Sequence, residues 1–351
     1  MRKYFRIFKR TLTVLFFLLL SWSIFNISLI LYGYDQLRGQ LQIVAKARPV
    51  VEVLADTAIS DTVKSRLQFI EHIKTFAIDS LGLKVSDNYT TFYDQGNKPL
   101  LWVLTVSEPF SLKPYQWHFP FLGFVSYKGF FNYEDGLQEQ RQMYASGYDT
   151  EYGDVSAWST LGWFTDPILS GMLRRGDGQL AELIIHEMTH ATLYLKSNVD
   201  LNENMASVCG EVGAMRFLEH QFGKESAEVK DYLSKKEDYD LFARFMLNGT
   251  SKLDSLYLSM ADSSIIVKRA LKELLIRQLV KSLDTVQFHS SSRFKNIFEN
   301  ELPNNAYFLN FVRYDSRKTE LKKQLTVEFN GDIRKFLDYL KETNGEIKKE
   351  N

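Results

Sequence analysis

Cysteine is almost absent: Cys209 is the one thiol in 351 residues. No intrachain disulfide can form, and Cys₄ and Cys₂His₂ zinc sites are excluded. Proline (7) and glycine (19) are scarce, which excludes collagen-like and linker-dominated architectures. Net charge is also missing, because 43 Lys and Arg balance 43 Asp and Glu. A general nucleic-acid binder needs a basic surplus to neutralise phosphates, so no nucleic-acid partner is expected. What is plentiful is core material. Hydrophobic residues make up 45% and charged residues 25%, the composition of a globular chain rather than a disordered one.

Acids are missing from the first 34 residues. Residues 1–10 carry Arg2, Lys3, Arg6, Lys9 and Arg10, whereas residues 11–34 are uncharged. Those 24 residues suffice to cross a bilayer as a helix. The basic segment 1–10 is expected to stay in the cytoplasm, with 11–34 as a signal anchor in the lipid bilayer. The rest of the chain is then expected outside the cytoplasm, periplasmic or extracellular. A cleaved signal peptide or a buried core helix would give a similar pattern. The length of the run, and the lack of an Ala-x-Ala site before Asp35, favour the anchor. Removing the five basic residues leaves 38 bases against 43 acids, a net of −5 outside. Residues 35–345 are read as one domain and 346–351 as a solvated tail.

Residues 36–54 read as a helix interrupted near Pro49, and residues 61–81 as a second helix capped by Asp61. Residues 89–94, 100–106, 123–131 and 150–160 carry β-branched and aromatic residues between turn signals and read as strands. Helices are expected over 134–144, 177–196, 201–222 and 265–283. A small sheet plus helices is an α+β pattern.

The chemistry concentrates in His186-Glu187-Met188-Thr189-His190. On a helix, His186 and His190 lie one turn apart on one face and can bind one metal ion. Glu187, beside them, is placed to take a proton from a metal-bound water. Leu180, Leu183, Ile184, Ile185, Leu193 and Leu195 should bury the helix, and unpartnered histidines there would be costly. A catalytic site needs a third protein ligand. Glu203, in Leu201-Asn202-Glu203-Asn204-Met205-Ala206, is the candidate. Ala206, Gly210 and Ala214 on the same helix would let it approach the first one. Glu203 could instead close a capping box with Asp200. Glu211 is the alternative ligand, or an acceptor that fixes an imidazole tautomer. Two imidazoles and a carboxylate suit one Zn²⁺ per chain. The chemistry expected is peptide-bond hydrolysis with Glu187 as general base.

These motifs resemble the gluzincin metallopeptidases, and more narrowly the bacterial predicted-aminopeptidase family. Further segments carry the likeness: Gly39-Gln40-Leu41, Ala47-Arg48-Pro49, Phe119-Pro120, Tyr127-Lys128-Gly129-Phe130-Phe131, Gly147-Tyr148-Asp149 and Asn304-Asn305-Ala306. Residues 159–167, which read Ser-Thr-Leu-Gly-Trp-Phe-Thr-Asp-Pro, add to it. The resemblance implies a zincin-like α+β metallopeptidase domain behind one N-terminal transmembrane helix. It implies His186, His190 and Glu203 as zinc ligands, Glu187 as base and a peptide as substrate. Members of the family often carry a cysteine near Phe119-Pro120; here Trp117-His118 stands in its place. By analogy with zincins, Ser159, Thr160, Leu161 and Gly162 form a substrate-pairing edge strand. Tyr307 and Tyr314 are candidates for a transition-state donor, and Glu151, Asp154 and Asp166 for holding a substrate amine. Two other readings stay open: an envelope scaffold that keeps the metal without catalysis, and a zinc hydrolase of a non-peptide amide.

Overall fold

The computed structural model describes residues 2–96, 98–120, 123–154, 165–196, 198–290, 293–294 and 296–345. The chain divides into Met1–Ala47 and Arg48–Asn351. In the first unit, helices α1 (Arg2–Phe25) and α2 (Ile27–Lys46) meet at Asn26. Within α1, Phe8–Phe25 is long and apolar enough to be a membrane-span candidate. The sequence reading carried the span on to residue 34. At the junction the Asn26 N–H still donates to the Trp22 carbonyl and the Ile30 N–H to the Asn26 carbonyl (3.0 Å each), so helical bonding carries across it.

The second unit is helix-rich with three small sheets, an α+β arrangement. After α3 (Val50–Ala55), α4 (Asp61–Asp79) buries Leu67, Ile70, Ile73 and Ala77 at helical spacing. Its cap is Ser60, whose Oγ accepts from the Val63 N–H (3.4 Å). Asp61 therefore falls in the first turn, where the helix dipole favours a negative charge. In the first sheet β2 (Thr91–Tyr93) lies between β1 (Arg48–Pro49) and β8 (Ile168–Leu169). It runs parallel to β8, with Phe92 opposite Ile168. In the second, β3 (Trp102–Ser107) is flanked antiparallel by β6 (Lys128–Phe130) and β7 (Asp149–Asp154). The third is a hairpin of β4 (Trp117–Phe119) and β5 (Gly123–Val125). Helix α5 (Tyr133–Ala145) follows β6. The expected continuation of β7 to residue 160, the proposed substrate strand at Ser159, Thr160, Leu161 and Gly162, and the tail 346–351 lie outside the described residues.

Helices α6 (Asp177–Thr192) and α7 (Val199–Phe222) pack along their length. Together with α4, β2, β8 and α11 (Ile333–Gly345) they enclose one apolar core. A second core gathers α8 (Ala227–Ser259), α9 (Ile265–Leu283) and α10 (Asn305–Asp315) around Phe242, Phe294 and Phe308. Arg66 of α4 secures the start of α6 by pairing with Asp177 and donating to the Leu173 and Arg175 carbonyls. Helix α6 stops four residues before the sequence reading placed its end. Asn202 is the reason: its amide takes both the N–H and the carbonyl of Leu195 (2.8 Å each), so the chain cannot continue as a helix there.

Candidate metal centre

On α6, the His186 and His190 Nε2 atoms lie 3.1 Å apart. From α7, the Glu203 Oε2 reaches His186 Nε2 at 3.5 Å and His190 Nε2 at 3.7 Å. Ligands about 2.0–2.1 Å from a tetrahedral zinc stand roughly 3.3 Å from one another. The three donor atoms therefore already form one face of such a tetrahedron. Among the described residues they are the group of His, Cys, Asp or Glu side chains close enough to share an ion. All three residues are half-buried.

Backbone proximity makes this convergence feasible. A Cβ on Gly210 would stand 2.8 Å from the Glu182 carbonyl oxygen and 3.2 Å from the His186 Cβ. The carbonyl belongs to the α6 backbone and cannot swing aside. Fully buried Ala206 and Ala214 extend the same narrow seam. Gly210→Ala is expected to push α7 off α6 and to cost about 1–3 kcal/mol by overpacking. Urea unfolding would measure that cost, and a zinc titration would show weaker uptake by the separated ligands.

Two asparagines missed as site residues by the sequence reading hold Glu203 in place. Asn202 ties α7 to the end of α6, as described above. Asn204 is fully buried; its amide nitrogen donates to the Arg313 carbonyl (2.6 Å) and its oxygen accepts from the Arg317 N–H (2.9 Å). The last turn of α10 is thus pinned beside Glu203. The helix cap is Asn198, whose side chain accepts from the Leu201 N–H. Asp200 is not the cap, so the capping-box role for Glu203 is ruled out and its carboxylate is free to face the histidines.

Burial works to raise the Glu203 carboxyl, but the adjacent imidazoles of His186 and His190 outweigh it and hold the carboxyl well below the ordinary range. Burial works to lower His186. Its bond to Glu203 and the nearby charges of Glu187, Glu203 and Glu182 prevail and raise it. Glu187 moves up because burial outweighs the two imidazoles, with Glu203 and Asp166 adding to the rise. A carboxylate with raised proton affinity is suited to general-base work.

The other candidates divide. Glu211 is not a ligand here. It is buried among Lys236 (3.5 Å), Lys318 (3.2 Å) and Lys322, which overcome its burial and hold it down to about 2. Eight residues beyond Glu203, it lies on another side of α7. Tyr307 is also displaced. It packs on Phe298 and Phe311, and burial together with Glu151 pushes it up to about 12. Tyr314, seven residues or about 10 Å farther along α10, lies within range of the charges of Glu203 and Glu187. Burial, then the charge of Glu203, raises its phenol, as they do for Tyr127 and Tyr194. Tyr127 lies between β5 and β6, and Tyr194 meets the His190 ring edge-on at 6.1 Å.

Neither Tyr127 nor Tyr194 stood out among 18 tyrosines. Tyr127 falls inside one of the resemblance segments, the one available signal. Of the three amine-anchor candidates, Asp166 is the one whose charge reaches Glu187. It is buried, and its carbonyl accepts from the N–H of Tyr89, another tyrosine under the influence of Glu187. Glu151 instead feels Glu301, and Asp154 ends β7 exposed.

Comparison with curated proteins and with solved structures finds no match. A family model does match, over residues 31–351, nearly all of the folded chain described above. By that match the chain belongs to the protein family described as "Putative aminopeptidase".

Proposed function

We propose that the protein is a zinc-dependent metallopeptidase of the gluzincin type, with a zincin-like fold around α6 and α7. The observation that carries this reading is the spacing of the His186, His190 and Glu203 donor atoms, with Glu187 next to the first histidine. The family description supports peptidase activity. His186, His190 and Glu203 would hold one Zn²⁺. A bound Zn²⁺ supplies Lewis acidity at the scissile carbonyl and lowers the pKa of water.

The remaining work falls to side chains of this chain. Glu187 takes a proton from the attacking water as the water oxygen bonds to the carbonyl carbon. It then delivers that proton to the amide nitrogen as the carbon–nitrogen bond breaks; once the water's second proton follows to the nitrogen, the products are a carboxylate and an ammonium. Tyr314 and Tyr127 stay protonated because burial and the carboxylates raise their phenols. Each is an O–H donor available to charge developing on the carbonyl oxygen. We further read α1 as a bilayer anchor. Its basic N-terminal end would lie in the cytoplasm and the metal centre outside.

The test is metal content followed by turnover. Purified full-length chain in detergent is expected to carry about one zinc per molecule by mass spectrometry, and to hydrolyse short peptides until a chelator removes the metal. A folded chain without zinc affinity would overturn the reading. Zinc with cleavage of small non-peptide amides alone would replace the peptide substrate with an amide of another class.

A further inference from the structure

Three bases are buried among the described residues: Lys74, Arg313 and Lys318. Lys74 pairs with Glu71 at 3.0 Å, and Lys318 pairs with Asp240 and Glu211. This follows the physical rule that buried charges are paired. Arg313, only 8% exposed, breaks it. Its guanidinium donates to a neutral acceptor, Ser126 Oγ, at 3.0 Å and lies over the Tyr127 ring at 5.4 Å. Among the described residues, no carboxylate lies within ion-pair distance of it. A guanidinium has five N–H donors, so most of the fork is left over. Nor can this arginine drift, because its own carbonyl is held by Asn204, the residue after Glu203.

Its position is informative. Tyr127 and Tyr314 feel the charges of both Arg313 and the Glu203–Glu187 carboxylates, and Asn204, next to Glu203, holds the Arg313 carbonyl at 2.6 Å, so the cation lies near the metal centre. The groups against the Arg313 guanidinium are Ser126 and Tyr127, neither of them acidic. The charges facing the metal group, apart from the two ligand histidines, are Glu187, Glu203, Glu182 and Asp166. Among the described residues, Arg313 is thus the buried base not already paired with an acid.

We propose that Arg313 is a specificity residue that receives a carboxylate of the substrate, with the Tyr127 ring as its backing. The inference rests on the hydrolase reading above and deepens it, because the substrate becomes a peptide bearing a carboxylate close to the bond that is cut. That carboxylate is either the C-terminus of a short peptide or an Asp or Glu side chain. Arginine suits the task because its planar fork binds both carboxylate oxygens at once.

The experiment uses full-length zinc-loaded protein and peptides of two to six residues. Each peptide is supplied as free acid and as C-terminal amide, with Glu or Gln at each position. Wild type is expected to favour the carboxylate-bearing member of a pair by about tenfold to a hundredfold in kcat/KM, mostly through KM. A preference for acid over amide assigns the C-terminus, and a preference for Glu over Gln in the amide series assigns a side chain. Arg313→Gln is expected to abolish the preference while amide peptides are still cut. Arg313→Lys should keep part of it, and carries the test if the Gln variant does not fold. Equal rates on paired peptides in wild type, or an unchanged preference in Arg313→Gln, overturn the proposal.

If no peptide is cleaved, the hydrolase reading fails on its own. The Arg313 proposal is then decided by calorimetry of the same peptide pairs on the Glu187→Gln protein. Tighter binding of the acid, lost on adding Arg313→Gln, supports it. Equal binding of acid and amide overturns it.

Discussion

Glu187→Gln is expected to lower kcat for peptide hydrolysis by about a hundredfold to ten-thousandfold, the range general acid–base catalysis supplies, with zinc content unchanged. Glu187 neighbours a ligand in sequence but is not one of the three converging donors, which are His186, His190 and Glu203. Its carboxyl is raised chiefly by burial, so it binds and releases a proton closer to neutral pH than an exposed glutamate does. The amide that replaces it has nearly the same shape but no basic oxygen, so packing and metal binding should survive. Zinc by mass spectrometry and single-turnover rates on one preparation would check both halves. Turnover near the wild-type level would remove Glu187 from the reaction. A scaffold without catalysis would instead show no turnover in either protein.

Glu203→Ala is expected to weaken zinc binding by more than about a hundredfold, since even residues behind the ligands are worth tenfold to a hundredfold. The fold should persist, because the contacts that pin α7 belong to the flanking residues. Asn202 holds Leu195, and Asn204 holds Arg313 and Arg317. Glu211→Gln is the matched control. It disturbs the lysine cluster of Lys236, Lys318 and Lys322, so it should lower stability and leave one zinc per chain. Competition against a chelator of known affinity would measure the first variant, and urea unfolding the second. Zinc lost in Glu211→Gln and kept in Glu203→Ala would exchange the roles of the two glutamates.

Much of the centre can be read without coordinates because it is local. Residues 186 and 190 share a helix face by the 3.6-residue period alone. The small residues Ala206 and Gly210 announce a close helix contact before any partner is known, and the contact is with α6. Capping was less legible. Ser60 and Asp61 are both good caps, as are Asn198 and Asp200, and which one adopts the non-helical backbone depends on where the preceding chain arrives. The early end of α6 was hidden too, because it depends on an asparagine seven residues beyond Leu195.

The sequence by itself determined the helices, the two imidazoles on one face, the neighbouring base, and the apolar N-terminal run with its basic flank. All of these follow from side-chain periodicity and from residues close in the chain. Tertiary structure decided which distant groups join them. Glu203 faces the histidines while Glu211, on another side of the same helix, faces three lysines. Tyr314 feels the charge of Glu203, whereas Tyr307 packs into a separate core. Tyr127 arrives from the stretch between β5 and β6, and Arg313 is buried with no acid paired to it among the described residues. The reason is that packing angles between helices, and the approach of loops, depend on the summed shape of many buried side chains. No short stretch of sequence carries that sum.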